Sequence, residues 1–187
     1  MVVKISPKID VFVIDPPWPH TAGGTKKARP CAHDKEWAYP VMEIPEIFSL
    51  LSEKVLCRAS ENHTVFMWCI ERALLDMEAA MAELGYRRHV RMVWDKGTGL
   101  SPAFTVQYSH EYLVWYYKGK FQPVNPNYRG SFKSCFRSPV RQHSRKPDFA
   151  YMMLDAMFLG KTKMDVFARE KRNGWLAWGN EINKFGG

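Results

Sequence analysis

The stretch Val-Phe-Val-Ile-Asp-Pro-Pro-Trp, residues 11–18, joins a short apolar run to an acid, two prolines and an indole. The β-branched run predicts a buried strand over Ile9–Ile14. The strand ends at the prolines, because neither has a backbone N–H for a sheet ladder. Asp15 is therefore predicted at the carboxyl end of a strand, the edge where open α/β sheets bind their ligands.

The tetrapeptide that follows the strand also has a chemical interpretation, and its members are the candidate catalytic residues: Asp15, Pro16, Pro17 and Trp18. The Asp15 carboxylate and the Pro16 carbonyl can both accept hydrogen bonds from one exocyclic amine. Trp18 offers a flat face on which an aromatic ring can stack. The alternative is structural: two prolines end a strand, and the tryptophan covers the core.

Length and composition indicate one well-packed domain over residues 1–187, with 46% hydrophobic residues and no apolar run long enough to span a membrane. The N-terminus lacks the apolar core of a signal peptide, so we expect a cytoplasmic protein. The four cysteines and six histidines are scattered, which predicts reduced, mostly buried thiols and no metal site. The net charge of +8 predicts a polyanionic partner.

The segment from 118 to 146 is basic and contains no Asp or Glu. Its cations are Lys118, Lys120, Arg129, Lys133, Arg137, Arg141, Arg145 and Lys146. Tyr128, Phe132 and Phe136 lie among them, a mixture suited to phosphate contact and base stacking. We therefore predict a nucleic-acid contact here, with Arg137 and Arg141 as candidate ligands of the substrate. The alternative is a solvated basic surface.

Predicted strands and helices alternate along the chain, as in a three-layer α/β sheet of mostly parallel strands. After the first strand, the predicted strands are His63–Cys69, Tyr86–Trp94, Glu111–Tyr117, Lys163–Ala168 and Gly174–Trp178. The predicted helices are one that begins at Pro45, Glu71–Leu84 and Pro147–Phe158. No helix separates the third and fourth strands, which predicts one antiparallel hairpin. The loops Pro19–Tyr39 and Gly97–Ser109 are long enough to be binding loops.

Five motifs follow one another over nearly the whole chain. They are Asp-Pro-Pro-Trp at 15–18, Tyr-Pro-Val-Met at 39–42, Val-Trp-Asp-Lys at 93–96 with Ser-His-Glu-Tyr-Leu at 109–113, His-Ser-Arg-Lys-Pro-Asp at 143–148, and Lys-Met-Asp-Val-Phe-Ala-Arg at 163–169 with Gly-Trp and Trp-Gly-Asn-Glu up to 181. In this order they resemble the MT-A70 family of adenine methyltransferases. The resemblance implies a Rossmann-like class I methyltransferase fold with permuted motifs, the catalytic motif first and the cofactor block last.

The resemblance also implies S-adenosylmethionine as the cofactor and assigns roles to residues. Asp15 and Pro16 would hold the 6-amino group of adenine, with Trp18 against the base. The substrate pocket would be lined by Tyr39, Glu111 and Lys146. The cofactor would be bound by Asp15, Lys146, Asp165, Val166, Arg169, Asn180 and Glu181.

The expected function is methylation of the 6-amino group of adenine in nucleic acid, and the compact chain favours DNA over RNA. The alternatives are an RNA adenine methyltransferase, an inert nucleic-acid-binding homologue, an enzyme acting on the 4-amino group of cytosine, and a basic RNA-associated module. By the resemblance, the acid at Asp15 implies an active enzyme that acts on adenine. The sequence leaves open whether the protein is a monomer or a homodimer.

Overall fold

A seven-stranded sheet forms the centre of the protein in the computed structural model, which describes residues 7–19, 41–97, 106–142 and 144–185. Its strands are β1 (Ile9–Ile14), β2 (Ala59–Cys69), β3 (Arg87–Asp95), β4 (His110–Lys118), β5 (Cys135–Arg137), β6 (Lys163–Val166) and β7 (Trp175–Trp178). The α-helices are α1 (Ile44–Leu50), α2 (Leu74–Glu83) and α3 (Asp148–Met157). Across the sheet the order is β5-β3-β4-β2-β1-β6-β7.

Strand β4 runs against the other six described strands, because both β2 and β3 pair with it in antiparallel register. The remaining pairs, β1 with β2 and β6, β6 with β7, and β3 with β5, are all parallel. This arrangement confirms the prediction of a mostly parallel sheet with one antiparallel hairpin. The fold is a Rossmann-like α/β fold.

The strand order reverses at β1, which has β2 on one side and β6 on the other. In an open α/β sheet, such a switch point leaves a crevice outside the carboxyl ends of the strands. Asp15 follows β1 directly and therefore lies at this crevice. Because β4 runs in the opposite direction, its first residues, His110 and Glu111, reach the same edge of the sheet.

Apolar side chains cover both faces of the sheet. On one face, Phe12 and Ile14 of β1 belong to a cluster that includes residues of α1 and α2. On the other face, Val11 and Val13 belong to a cluster with α3. Successive side chains of a strand point to opposite faces, so this alternation buries β1 on both sides. The helices on the two faces complete the three predicted layers.

Several elements differ from the prediction at their ends. Helix α1 ends early, and the chain continues as a π-helical turn, Leu51–Val55, and a 3₁₀ turn, Leu56–Arg58. The first turn of the predicted second helix, Glu71–Ala73, is also 3₁₀. The sequence does not predict β5, because three residues are too few to show a period and the strand forms only by pairing with β3.

The cysteines correct one expectation. Among the described residues, Cys57 and Cys135 are exposed and only Cys69 is buried, so the prediction of mostly buried thiols is wrong. In the same part of the chain, no group of three His, Cys, Asp or Glu side chains is placed to hold a metal ion. The expected absence of a metal stays a prediction. No described helix has the length and apolar character needed to cross a membrane.

Candidate active site

A tight turn follows β1 and holds the candidate catalytic residues. The Asp15 N–H donates to the Val166 carbonyl across 3.2 Å, which extends the pairing of β1 with β6 by one residue. The Trp18 N–H donates to the Pro16 carbonyl across 2.9 Å, closing a three-residue turn. A carbonyl oxygen has two lone pairs, so Pro16 keeps one for a further donor. Asp15 is 7% exposed and borders the crevice.

Trp18 is buried rather than open to a ligand. Its side chain is 4% exposed and belongs to the core cluster on the α1 and α2 face. The indole N–H donates to the carbonyl of Trp68 across 2.9 Å, which anchors the turn to β2. Trp18 therefore covers the core, as the structural alternative proposed. The ring face that was predicted to stack on a base packs against other core residues.

Two cations hold the Asp15 carboxylate, one on each oxygen. The Lys146 ammonium lies 3.0 Å from Oδ1, and the Arg169 guanidinium lies 3.1 Å from Oδ2. All three side chains are about nine-tenths buried, with exposures of 10 to 11%. The two cations thus orient the carboxylate from both sides.

These contacts are the centre of a longer chain of alternating charges. Lys146 also lies 2.8 Å from one oxygen of Glu111, and Lys96 lies 2.5 Å from the other. At the other end, Arg169 lies 3.3 Å from Glu181. Three cations therefore alternate with three carboxylates along the carboxyl edge of the sheet. We refer to these six residues as the charge chain.

Sequence reasoning finds five members of the charge chain and misses Lys96. This lysine is 8% exposed and directly follows β3. Its position after β3 could have indicated a place in the site, since β3 and β1 are parallel and their carboxyl ends meet at one edge of the sheet. A lysine alone carries no such information, because lysines are usually found on the surface.

The charge chain shifts the proton affinities of its members. Burial alone would raise the pKa of Glu111, but Lys146 and Lys96 outweigh it and lower the pKa to about 2. Burial alone would lower the pKa of Lys146, but Asp15 and Glu111 outweigh it and raise the pKa. Both groups are therefore charged at neutral pH, as the ion pairs require.

A second buried acid lies at the end of β6. Asp165 is 4% exposed, and the Tyr151 hydroxyl lies 3.2 Å from its Oδ2 and 3.3 Å from its Oδ1. The Arg172 guanidinium lies 3.6 Å from the centre of the Tyr151 ring and 4.0 Å from Asp165. Burial raises the pKa of Asp165 to about 7, although Arg172 opposes the shift. Sequence reasoning assigns neither Tyr151 nor Arg172 to the site.

The turn after β6 brings backbone close to the end of β7. The Ala168 N–H donates to the Trp178 carbonyl across 3.0 Å. A Cβ at Gly179 would lie 2.9 Å from the Ala168 nitrogen and 3.0 Å from the Phe167 carbonyl carbon, so only glycine fits there. Phe167 itself has a positive φ of 58°, an uncommon conformation outside glycine that often occurs at functional sites.

The remaining residues predicted to bind the cofactor or the substrate differ in how close they lie to the crevice. The Val166 side chain is fully buried in the core, and its carbonyl accepts the Asp15 N–H, so the side chain does not reach the crevice. The role of Val166 in binding the cofactor stays a prediction. Asn180 is exposed after β7. Glu181 reaches the crevice through its ion pair with Arg169. Tyr39, predicted in the substrate pocket, lies outside the described residues.

The two arginines predicted to contact the substrate have different surroundings. The Arg137 side chain is 72% exposed and only loosely paired with Asp95, at 3.5 Å, so it can reach a phosphate. Arg141 lies 2.7 Å from Asp148 and donates to the Lys146 carbonyl across 3.2 Å, so it is held more firmly than Arg137. Its contact with the substrate stays a prediction.

The crevice beside these residues is a narrow cleft of about 20 Å³ that opens to solvent. Its lining includes Asp15, Lys146, Asp165, Arg169 and Arg172. It therefore offers cations for a carboxylate and buried acids for hydroxyl groups. The Arg172 Nε is buried and has no hydrogen-bond partner among the described residues, which leaves one donor for a ligand. This donor set fits an amino-acid nucleoside cofactor.

The sheet order with the reversed β4 is that of a Rossmann-like methyltransferase fold, and an acid lies at its switch point. The chain belongs to the MT-A70 family, whose family model matches residues 9–181.

Similar proteins come from several kingdoms. The chain is 25% identical to the N6-methyladenosine RNA methyltransferase MTA1 of Pyricularia oryzae, over 99% of the chain and 50% of that protein. It is 24% identical to the type II methyltransferase M.MunI of Mycoplasma sp, over 94% of the chain and 78% of that protein. It is 28% identical to the N(6)-adenosine-methyltransferase MT-A70-like protein of Arabidopsis thaliana, over 64% of the chain and 18% of that protein. The chain spans between 18% and 50% of the length of the fungal protein and three plant relatives.

Replacement of Asp165 by Asn is expected to change the pH dependence of stability. Because the folded-state pKa of about 7 lies above the ordinary value of 3.8, the wild-type carboxyl favours folding most below pH 3.8. This contribution is lost as the pH rises through about 7. Asp165→Asn should therefore raise the melting temperature at about pH 8 and leave it nearly unchanged at about pH 4. Thermal unfolding followed by circular dichroism measures the melting temperature at each pH. An equal change in melting temperature at the two pH values would contradict a raised pKa of Asp165.

Proposed function

We propose that the protein transfers a methyl group from S-adenosylmethionine to the 6-amino group of adenine in nucleic acid, with DNA favoured over RNA. The observation that supports this most strongly is the placement of one buried carboxylate and one peptide carbonyl at the switch point of the sheet. The matching family and the named activities of its relatives agree with adenine as the base.

An aromatic amine is a poor nucleophile, because its lone pair is delocalised into the ring. Two acceptors can draw its two hydrogens toward tetrahedral geometry and so localise the lone pair. The Asp15 carboxylate and the free lone pair of the Pro16 carbonyl are such a pair of acceptors. Asp15 also stabilises the positive charge that develops on the nitrogen in the transition state. The amine therefore needs no prior deprotonation.

S-Adenosylmethionine, when bound, supplies an electrophilic methyl group on a sulfonium sulfur. Lys146 and Arg169, which border the cleft, would hold its amino-acid carboxylate. An ammonium has three donors, and Lys146 uses two of them on Asp15 and Glu111. Asp165 is the candidate acceptor for ribose hydroxyls, as acids at strand ends are in dinucleotide-binding folds.

The target base must leave the stack before it can enter a crevice of this kind. For a base in a duplex, extrusion costs a few kcal/mol, and contacts to the flanking backbone offset that cost. The exposed Arg137, which lies at the same edge of the sheet as Asp15, is the described residue best placed for such a contact. A type II methyltransferase and an RNA methyltransferase both occur among the relatives, so the preference for DNA needs a direct comparison of the two substrates.

The test is incubation with labelled S-adenosylmethionine and matched DNA and RNA oligonucleotides, followed by digestion and mass spectrometry of the nucleosides. We expect an adenine nucleoside methylated at its amino group, formed faster from DNA than from RNA. Faster reaction on RNA would overturn the DNA assignment alone. Methylated cytosine, or no methylated nucleoside from a chain that binds the cofactor in calorimetry, would overturn the proposal.

A further inference from the structure

A hollow lies at the opposite end of β3 and β4 from Asp15. Its cavity volume is about 320 Å³, and it opens to solvent. Its lining is His89, Val90, Met92, Trp115, Phe121, Val124, Tyr128, Gly130, Phe132, Lys133, Ser134, Met153 and Met157. We call it the aromatic hollow. Its size and its mostly apolar lining with a few polar groups are typical of sites that bind small flat molecules.

Two groups of rings contribute to the aromatic hollow. Phe121 lies against Trp115 at 5.4 Å between ring centres and against His89 at 4.7 Å. Tyr128 and Phe132 are nearly parallel, with 15° between their planes. Phe121 and Tyr128 are each 40% exposed, although aromatic rings of this size are usually buried. The hollow therefore presents open ring faces to solvent.

The charge around the aromatic hollow has one sign. None of its thirteen lining residues is acidic. Lys120, Arg129 and Lys133 belong to the basic segment 118–146 and form no ion pair with any described residue. The cations at the carboxyl edge differ, since Arg141, Arg145 and Lys146 are all paired with acids. Lys133 lines the hollow, and Lys120 and Arg129 are sequence neighbours of its lining residues Phe121, Tyr128 and Gly130. At the carboxyl edge, the loosely paired Arg137 is the exception.

Distance separates the aromatic hollow from the reaction centre. Along β3, His89 is about 20 Å and Met92 about 10 Å from Asp95, which lies at the same edge as Asp15. Strands β4 and β2 also separate β3 from β1, which adds about 14 Å across the sheet, so the hollow does not open beside Asp15. A ligand in it would belong to a part of the substrate some nucleotides away.

We propose that the aromatic hollow binds an unpaired nucleobase of the substrate, remote from the target adenine, while Lys120, Arg129 and Lys133 contact the neighbouring phosphates. Aromatic side chains stack on exposed bases regardless of sequence, and nearby cations hold the backbone. An unpaired base is required, because a base within a duplex already has both faces stacked. This inference rests on the proposed function in one respect, that the substrate is nucleic acid.

The test compares single-stranded oligonucleotides of about 15 and about four nucleotides, as DNA and as RNA, by fluorescence anisotropy. The longer strand can reach both sites, and the shorter one only one of them. Tyr128→Ala should bind the longer strand about 5- to 150-fold more weakly, since one stacked base is removed. It should leave kcat on the short substrate unchanged. Tyr128→Trp, which keeps a stacking face, should restore binding.

Leu75→Ala is the matched control, because Leu75 is 75% exposed on α2, which packs on the other face of the sheet. Its affinity for both strands should equal that of wild type. Unchanged affinity of Tyr128→Ala for the longer strand, in both DNA and RNA, would overturn the inference. A change in oligomeric state of Tyr128→Ala with unchanged affinity would also overturn it and make the hollow a protein interface.

The failure of this inference and the failure of the proposed function have different signatures. In one outcome, wild type binds the longer strand, Tyr128→Ala binds it more weakly, and neither protein methylates a base. That outcome supports the aromatic hollow as a base site and rejects the methyltransferase proposal. If adenine is methylated and Tyr128→Ala binds and reacts like wild type on both lengths, the methyltransferase proposal stands and the hollow is not a base site.

Discussion

Asp15→Asn is expected to lower the kcat of methyl transfer at least a hundredfold while the protein stays folded. The amide keeps the shape of the side chain and one acceptor oxygen, but it removes the negative charge that stabilises the developing positive charge on the amine. Loss of one preorganised electrostatic contact to a transition state typically lowers kcat about 10²- to 10³-fold. The measurement is single-turnover methylation of an adenine-containing oligonucleotide.

Asp95→Asn is the matched control for this experiment. Asp95 also ends a strand at the same edge of the sheet, but the described partners of its side chain are the exposed Arg137 and the Gly97 N–H, and it lies outside the charge chain. Its replacement should change kcat little. Turnover of Asp15→Asn within a few fold of wild type would remove Asp15 from the chemistry, and cofactor binding measured in the same variant shows whether the cleft is intact.

Lys146→Met is expected to reduce both activity and stability. The substitution leaves two buried carboxylates, Asp15 and Glu111, without the cation between them. Breaking a buried pair costs about 3–5 kcal/mol. Arg169 and Lys96 still hold the far side of each carboxylate, so we expect the lower end of this range. For a chain of this size that corresponds to a fall in melting temperature of about 6–12 °C.

The stability difference between Lys146→Met and wild type should depend on pH. The folded-state pKa of Glu111 is about 2, below its ordinary value of 4.5, so its ionised form favours the folded state. This contribution is complete above about pH 5 and is lost as the pH falls from 4.5 toward 2. The two proteins should thus differ most near neutral pH and converge in acid. A difference that is constant from pH 7 to pH 3 would contradict the charge chain.

Lys163→Met separates a loss of stability from a loss of catalysis. Lys163 is also 8% exposed and paired with an acid, Asp155, but it begins β6 at the opposite edge of the sheet. This variant should lose stability and keep the kcat of wild type at a temperature where it is folded. If both lysine variants lost activity in proportion to their stability, Lys146 would have only a structural role.

Local pattern predicts the part of the fold that depends on local chemistry. The β-branched run and the two prolines are enough to place β1 and to locate Asp15 at its end. The absence of a helix between β3 and β4 is enough to predict the hairpin. The three-residue strand β5 escapes prediction, because it exists only through its partner in the sheet.

In the candidate site, too, local sequence predicts some residues, and others depend on tertiary contacts. Asp15 and Glu111 follow from motif and strand position, and the structure brings both to one lysine, Lys146. Lys96 and Arg172 were missed, because their burial depends on tertiary neighbours that no local pattern encodes. The expectation for Trp18 depended on an open ring face, and the core cluster against which it packs is formed by distant segments.

The basic segment shows that composition predicts a partner better than it predicts a contact. Its cations are adjacent in sequence, yet the structure divides them between acids at the crevice and the rim of the aromatic hollow. Arg141 and Arg145 lie within reach of Asp148 and Glu170, which come from later in the chain. A run of positive charge therefore does not show which of its members are free.

The most direct test of the reaction centre is a crystal structure with S-adenosylhomocysteine and an adenine-containing oligonucleotide. We predict that the adenine amino nitrogen lies about 2.7–3.2 Å from an Asp15 carboxylate oxygen and from the Pro16 carbonyl oxygen, with the cofactor sulfur facing it. An adenine bound elsewhere, or a crevice still closed around Asp15 when both ligands are present, would contradict the account.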